Sequence, residues 1–303
     1  MSRPKGIPII KTIAPYTPLY LMLLPALIYL TVFSYVPMWG ARLAFMDFSF
    51  MGKHTFVGFK HFATLFSSTA FGAVIANTII ISAMKIFINF PMPIILALML
   101  AEVRSRRFAR LIQSVIYLPH FLSWVVIAGI FINLLALEEG AVNRILVFFG
   151  GTQFPFLTQG TSIRWVFVFS EMWRSIGWDS LLFIAAIMRI DVEVFEAAIV
   201  DGAGTFRRIF SITLPAILPT IVTVFILNLG FFMNAGFDQV FNLMNDAVLS
   251  KVDILDTYVY RLGLQNGEFS YATAAGLFKG VIGLFLIFGT HFGSKRLTGK
   301  GVW

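Results

Sequence analysis

Six runs of predominantly apolar residues dominate the chain: Leu19 to Val36, Phe71 to Leu100, Ile116 to Leu137, Trp165 to Ile187, Ile217 to Ala235 and Gly276 to Gly293. Each approaches the ~20 residues that carry a helix across ~30 Å of hydrocarbon. Inside lipid every backbone N–H and C=O must be satisfied within the protein, so such runs fold as helices. A membrane barrel would instead show ten-residue alternation. Composition agrees: 58% of residues are hydrophobic, only 13% are charged, and 34 are phenylalanine, which no soluble domain tolerates. The expected fold is one all-α membrane domain with six transmembrane helices. Pro25, Pro91, Pro93 and Pro119 fall within or at the ends of these runs, and predict bends rather than breaks, because packed neighbours re-satisfy the freed carbonyls.

Basic residues set the orientation. Arg3, Lys5 and Lys11 precede the first run, Arg104, Arg106, Arg107 and Arg110 follow the second, Arg189, Arg207 and Arg208 follow the fourth, and Lys295, Arg296 and Lys300 end the chain. The opposite connections hold Arg42, Lys53, Lys60, Arg144, Arg164, Lys251 and Arg261, spread over longer stretches. By the positive-inside rule both termini are cytoplasmic. Topology thus accounts for the formal charge of +8, and nothing remains to suggest nucleic acid as a partner. The first run lacks a small-residue cleavage site and reads as a retained anchor. The expected organisation is a cytoplasmic segment over 1–18, the six-helix domain over 19–294 and a cytoplasmic tail over 295–303.

Several chemistries drop out. The chain has no cysteine, which excludes thiolate sites, disulfides and thiol nucleophiles. His54, His61, His120 and His291 show no H-E-x-x-H spacing, so neither a metal nor a catalytic residue is expected. Gly52-Lys53 is followed by His54 and Gly299-Lys300 by Gly301, so no phosphate-cradling loop is present and any ATPase must be a separate subunit.

The segment Phe195 to Pro215, FEAAIVDGAGTFRRIFSITLP, lies between the fourth and fifth runs on the cytoplasmic side. Its Glu, Asp and paired arginines exclude it from hydrocarbon. Glu196 and the alanines favour a helix to Asp201, Gly202 and Gly204 interrupt it, and Thr205 can cap a second short helix with Phe206, Ile209 and Phe210 on one face. Pro215 is expected to end that helix. Ala197 and Ala198 leave room for a partner's backbone, and Phe206 and Phe210 offer apolar anchors. Two readings stand side by side: a knob that transmits force from a partner, and an amphipathic loop with Arg207 and Arg208 on anionic lipid.

The order Glu196-Ala197-Ala198, Gly202, Ile212, Leu214-Pro215 resembles the EAA loop of bacterial ABC importer permeases, at the spacing of that superfamily. YVPMWG (35–40), AFMDFSF (44–50), FVGFKHF (56–62), NTIIIS (77–82), YLPHFLSWVVIAGI (117–130), GWDSLLFIAAI (177–187) and FDQVFNLMN (237–245) are together similar to carbohydrate importers, in the branch for oligosaccharides and polysaccharide fragments that includes alginate permeases. The resemblance implies the MetI-like fold of type I importers. It implies that Glu196, Ala197, Ala198, Asp201, Gly202 and Phe206 couple to the ATPase. It also implies a bacterial inner-membrane protein with a second homologous permease, two copies of an ATPase subunit that hold ATP and Mg, an extracytoplasmic substrate-binding protein and an oligosaccharide as partners, in contact with membrane lipid. The outer connections Tyr35 to Phe66 and Gly236 to Ala275 would receive the binding protein, although the acidic residues of the second read equally well as a solvated face.

A charge at a helix centre in lipid costs roughly 2.5–3.5 kcal/mol, so intramembrane charges mark protein or water-lined surfaces. The fourth run carries Glu171, Arg174 and Asp179. Glu171, Arg174 and Trp178 share one helical face. One reading is a translocation cavity in which Trp173 or Trp178 stacks on sugar rings and the charged groups meet hydroxyls or a uronate. The other is a Glu171–Arg174 pair that holds helices together. Lys85 and Asn89 are further cavity candidates. Asn228 and Asn234 suit either a ligand or helix-to-helix contacts, and Lys279 is expected to snorkel outward. The rivals are an ABC importer for amino acids or another small solute, an ion-coupled secondary transporter or channel, which would show inverted repeats, and a membrane-embedded enzyme.

Overall fold

The computed structural model describes residues 16–49, 52–103 and 105–298. Arg3, Lys5, Lys11, Arg104 and Lys300, which enter the orientation argument, lie outside the described residues. The chain is helical apart from a two-stranded ribbon, β1 (Met46–Asp47) with β2 (Thr55–Phe56), paired Met46 to Phe56. Helix α1 (Thr17–Leu30) continues without a break to Phe45. It is followed by α2 (Lys60–Ser67), then α3 (Thr69–Asn89) and α4 (Pro91–Ala101), which form one 33-residue apolar span. Next come α5 (Arg106–Tyr117), α6 (Trp124–Leu135), α7 (Ala141–Phe148) and α8 (Gly160–Ile187). The chain ends with α9 (Val192–Val200), α10 (Thr205–Arg208), α11 (Leu214–Gly230), α12 (Phe237–Leu243), α13 (Leu249–Val252), α14 (Leu255–Tyr260) and α15 (Phe269–Thr298).

Thr17–Phe45, Thr69–Ala101, Thr205–Gly230 and Phe269–Gly293 are each long and apolar enough to cross a membrane. Helix α8 has the length, 28 residues, but also carries Arg164, Glu171, Arg174 and Asp179. The third run differs from expectation. Over the run Ile116 to Leu137 the chain is not one bent helix but two, α5 and α6, turned 103° from one another. Pro119 opens the turn, since proline offers no N–H to continue the ladder, and Ser123 restarts the chain by accepting the Val126 N–H at 3.4 Å. This proline breaks the span, whereas Pro25 and Pro91 are accommodated.

Pro215 also behaves unexpectedly. It does not end a short helix; the helix is continuous from Thr205 to Gly230, with a π-turn over Ile209–Thr213 just before it. A widened turn absorbs the carbonyl that proline would otherwise clash with. The same device, Thr31–Tyr35, precedes Pro37 in the first span.

Helix α8 lies at the centre of the packing. One cluster joins Ile81, Ala128, Ile163 and Phe167 to Ala235, Val240, Leu243 and Val252, a second joins Phe71 and Val74 to Leu255, Tyr258 and Ala275, and a third joins Ile94 and Ala97 to Phe183, Ile187 and Ile217. The connection Gly236 to Ala275 therefore is not a solvated loop: α12 to α14 fold back into the bundle. Polar groups fix them there, because helices in lipid associate through close packing and hydrogen bonds rather than through exclusion of water. Asn77 donates to the Ser250 and Asp253 carbonyls at 3.1 and 3.2 Å and accepts from Arg164 at 2.7 Å. Buried Asp253 pairs with Arg261 at 2.5 Å, and Lys279 meets Asp256 of the outer connection at 2.6 Å.

Helices α5 and α8 approach closely at Gly177. A Cβ there would fall against the Ile116 carbonyl and the Tyr117 ring, so Gly177→Val is expected to lower stability by about 1–3 kcal/mol or more through overpacking. Thermal unfolding in detergent checks it. An unchanged midpoint would mean that α5 and α8 do not meet there.

Candidate functional site

Two features stand out, an exposed elbow and a polar cavity. The elbow begins at Asp191, whose carboxylate accepts the Glu193 N–H at 3.1 Å and caps α9. The helix ends in a Schellman motif: Ala203 N–H donates to the Ala198 carbonyl at 2.8 Å and Gly202 N–H to the Ile199 carbonyl at 3.0 Å. This closure needs a left-handed residue, and Gly202 supplies it at φ 76°. No residue of α9 is buried, and Val200 and Phe206 are 87% and 78% exposed. Glu196, Ala197 and Asp201 are exposed as well, with Ala198 half-buried.

The elbow is held to the rest of the chain by Arg208. Its guanidinium donates to the Glu102 carboxylate at 2.8 Å and to the Ala203 carbonyl at 3.2 Å, so Arg208 faces inward while Arg207 stays exposed. A charge-assisted bond of this kind is worth roughly 1.5–3 kcal/mol. Arg208→Ala is therefore expected to speed amide exchange in α9 and α10 by about tenfold or more without altering α8; equal exchange in both proteins would deny the tether.

The cavity, about 400 Å³, opens between α3, α4, α6, α8 and α11. Lys85, Asn89, Glu171, Asp179, Asn228 and Asn234 line it, with Trp124, Ser175 and Phe231. Trp173, Arg174 and Trp178 do not. Trp178 stacks on His120 at 4.5 Å, Trp173 meets Phe131 edge-on at 5.9 Å, and Arg174 sits 5.2 Å over Trp124. Helix α8 thus turns Glu171 and Asp179 to the cavity, Trp178 to the α5–α6 turn and Trp173 to α6.

Glu171 does not pair with Arg174. It accepts from Ser175 at 2.9 Å and lies 3.7 Å from Lys85. Lys85 donates to the Ala235 carbonyl at 2.6 Å and to the Gln239 side-chain oxygen, and Gln239, fully buried, donates to the Phe167 carbonyl and to Ser170 Oγ, both at 2.7 Å. Gly236 starts this corner at φ 94°, and a Cβ there would fall 2.9 Å from the Lys85 ammonium. Asn89 donates to the Val168 carbonyl at 3.2 Å and Asn228 to that of Val224 at 3.0 Å. Asp179 has no hydrogen-bond partner among the described residues and faces the open space.

Residues 93–297 match the family described as binding-protein-dependent transport system inner membrane component. The chain belongs to this family. It is 42% identical to Protein LplB of Bacillus subtilis (strain 168) over 288 residues, 94% of this chain and 91% of the relative. It is 41% identical to the polygalacturonan/rhamnogalacturonan transport system permease protein YteP of the same organism, over 94% and 90% of the two chains. Its fold superposes with TM-score 0.90 and 39% identity on a chain of a bacterial alginate ABC transporter, crystallised in complex with an alginate pentasaccharide-bound periplasmic protein; 97% of this chain and 99% of that one are covered.

The permease thus has the MetI-like importer fold, and the secondary-transporter and enzyme readings fall away. Sequence reasoning did not find Gln239, although it quoted the block FDQVFNLMN that contains it. A glutamine three residues into an expected outer connection gives no sign of burial. The Glu102–Arg208 tether was equally hidden, since its partners stand 106 residues apart.

Proposed function

We propose that this permease is one transmembrane subunit of an ATP-driven importer that carries an oligosaccharide or polysaccharide fragment across a bacterial inner membrane. It pairs with a second, related permease. Two ATPase copies, which hold ATP and Mg, grip the elbow over 195–215, and an extracytoplasmic binding protein delivers the substrate. The observation that carries this reading is a helix with no buried residue, α9, welded through a Schellman turn to one unbroken helix, Thr205–Gly230, whose far end supplies Asn228 to the cavity. When the ATPases close, a pull on Glu196, Ala197, Ala198 and Phe206 moves α11 as a rod and changes the side to which the cavity opens.

With the elbow inside, residues 1–18 and 295–303 are cytoplasmic. The two outer connections then face the binding protein, and they are knitted into one surface: Ser270 Oγ donates to the Met46 carbonyl at 2.5 Å and accepts from the Phe48 N–H at 3.0 Å. Asp179, Asn234 and the side-chain oxygen of Asn228 are the groups placed to meet hydroxyls, while Trp173, Trp178 and Arg174 support the wall. The substrate class is favoured by the relatives, which include a polygalacturonan/rhamnogalacturonan transport system permease protein.

The test is uptake of a labelled oligosaccharide by proteoliposomes holding the complete importer. Uptake should require ATP and the ATPase subunits. Asp179→Ala combined with Asn228→Ala should lower it about tenfold, by the loss of one or two hydrogen bonds, with assembly intact; uptake that persists without ATPase would overturn the proposal.

A further inference from the structure

Helix α5 has two faces that nothing among the described residues covers, and we propose that it is an in-plane anchor which reads anionic phospholipid headgroups at the inner surface of the bilayer. Its sequence, RRFARLIQSVIY, divides cleanly at helical period. Arg106, Arg107 and Arg110 form one exposed face. Phe108, Leu111 and Val115 form a second, 55%, 62% and 63% exposed. On the third side Ile116 closes on α8, where Gly177 admits its backbone.

A helix so divided cannot cross hydrocarbon, because its arginines would enter lipid, and cannot face water, because its apolar stripe would stay wet. Only the interface satisfies both faces. The 103° turn from α6 lays α5 across the direction of its own span. Among the described residues no carboxylate pairs with Arg106, Arg107 or Arg110, and only the Arg106 carbonyl engages Arg110, at 3.3 Å. Their charge is left for phosphate. The helix begins four residues after Glu102, which tethers the elbow through Arg208, so the depth of α5 in the headgroup layer bears on the coupling segment.

The inference rests on the cytoplasmic placement proposed above, yet its test needs no transport, so a failure of import and a failure of lipid reading are told apart. The chain contains no cysteine. Single cysteines at Phe108, Val115 and Arg107 can carry spin labels in the complete importer, in nanodiscs with partner cysteines replaced. Labels at 108 and 115 should collide with oxygen, and the label at 107 with a water-soluble nickel chelate. Native mass spectrometry should find phosphatidylglycerol retained over phosphatidylcholine, with the preference falling roughly fivefold for each arginine changed to glutamine. The triple Arg→Lys variant should keep it, which guards against simple misfolding. Nickel access at 108 and 115, or a lipid preference unmoved by the glutamine variants, would overturn the proposal. So would glutamine variants that shed the ATPase while keeping that preference, since α5 would then be a protein-docking helix.

Discussion

Valine in place of Gly202 is expected to abolish uptake while ATP hydrolysis continues. The glycine holds φ 76°, a region that costs an ordinary residue roughly 1–2 kcal/mol and a β-branched one more. Nothing lies within 4 Å of a Cβ built there, so the harm comes from the backbone and not from crowding. To relieve it, valine would move toward negative φ and break the two Schellman bonds, freeing α9 to swing relative to the rod below. Gly202→Asn is the informative companion, because asparagine tolerates left-handed geometry. It should retain most transport where valine loses it. Equal loss in both variants would assign the effect to bulk at the partner's surface, and full transport by the valine variant would remove the elbow from the mechanism.

The second large effect is expected at Lys85. Its side chain is 12% exposed and is shared by Glu171, Gln239 and the Ala235 carbonyl. Lys85→Met would leave Glu171 without its counter-charge, and the Gln239 side-chain oxygen and the Ala235 carbonyl without this donor. Removing one partner of a buried charge pair typically costs about 3–5 kcal/mol, much of it from the stranded partner. We expect the detergent-solubilised protein to melt far lower and transport to be lost. Adding Glu171→Gln should restore part of the stability, because the stranded charge is then gone. Calorimetry or tryptophan fluorescence decides, and an unchanged melt for Lys85→Met would mean that the hub is ornamental.

The two sites were not equally legible. The elbow could be read in part because its signals are local, an alanine-rich helix interrupted at Gly202; the Asp191 cap emerged only with the structure, and Gly204, not Thr205, stands at the N-cap of α10. The cavity was read in part. Lys85, Asn89, Glu171, Asp179, Asn228 and Asn234 converge as grouped, since polar residues in lipid must gather. Trp173, Arg174 and Trp178 were grouped with them but face away; they lie on α8 within a turn or two of Glu171, and sequence spacing could not say which side of that helix meets the gap and which meets the broken α5–α6 pass.

What the sequence by itself determined is that the chain is an all-helical membrane protein, where most of its long apolar helices lie, and the helix of the elbow with its interruption at Gly202. These are properties of single segments, fixed by hydropathy, charge and backbone chemistry within about twenty residues. Tertiary structure alone decided that Pro119 breaks a span while Pro215 does not, that residues 236–275 pack inside the bundle, and that Lys85 belongs to Gln239, 154 residues away. A buried polar group takes whatever partner the fold brings within 3 Å, and that choice is made between helices.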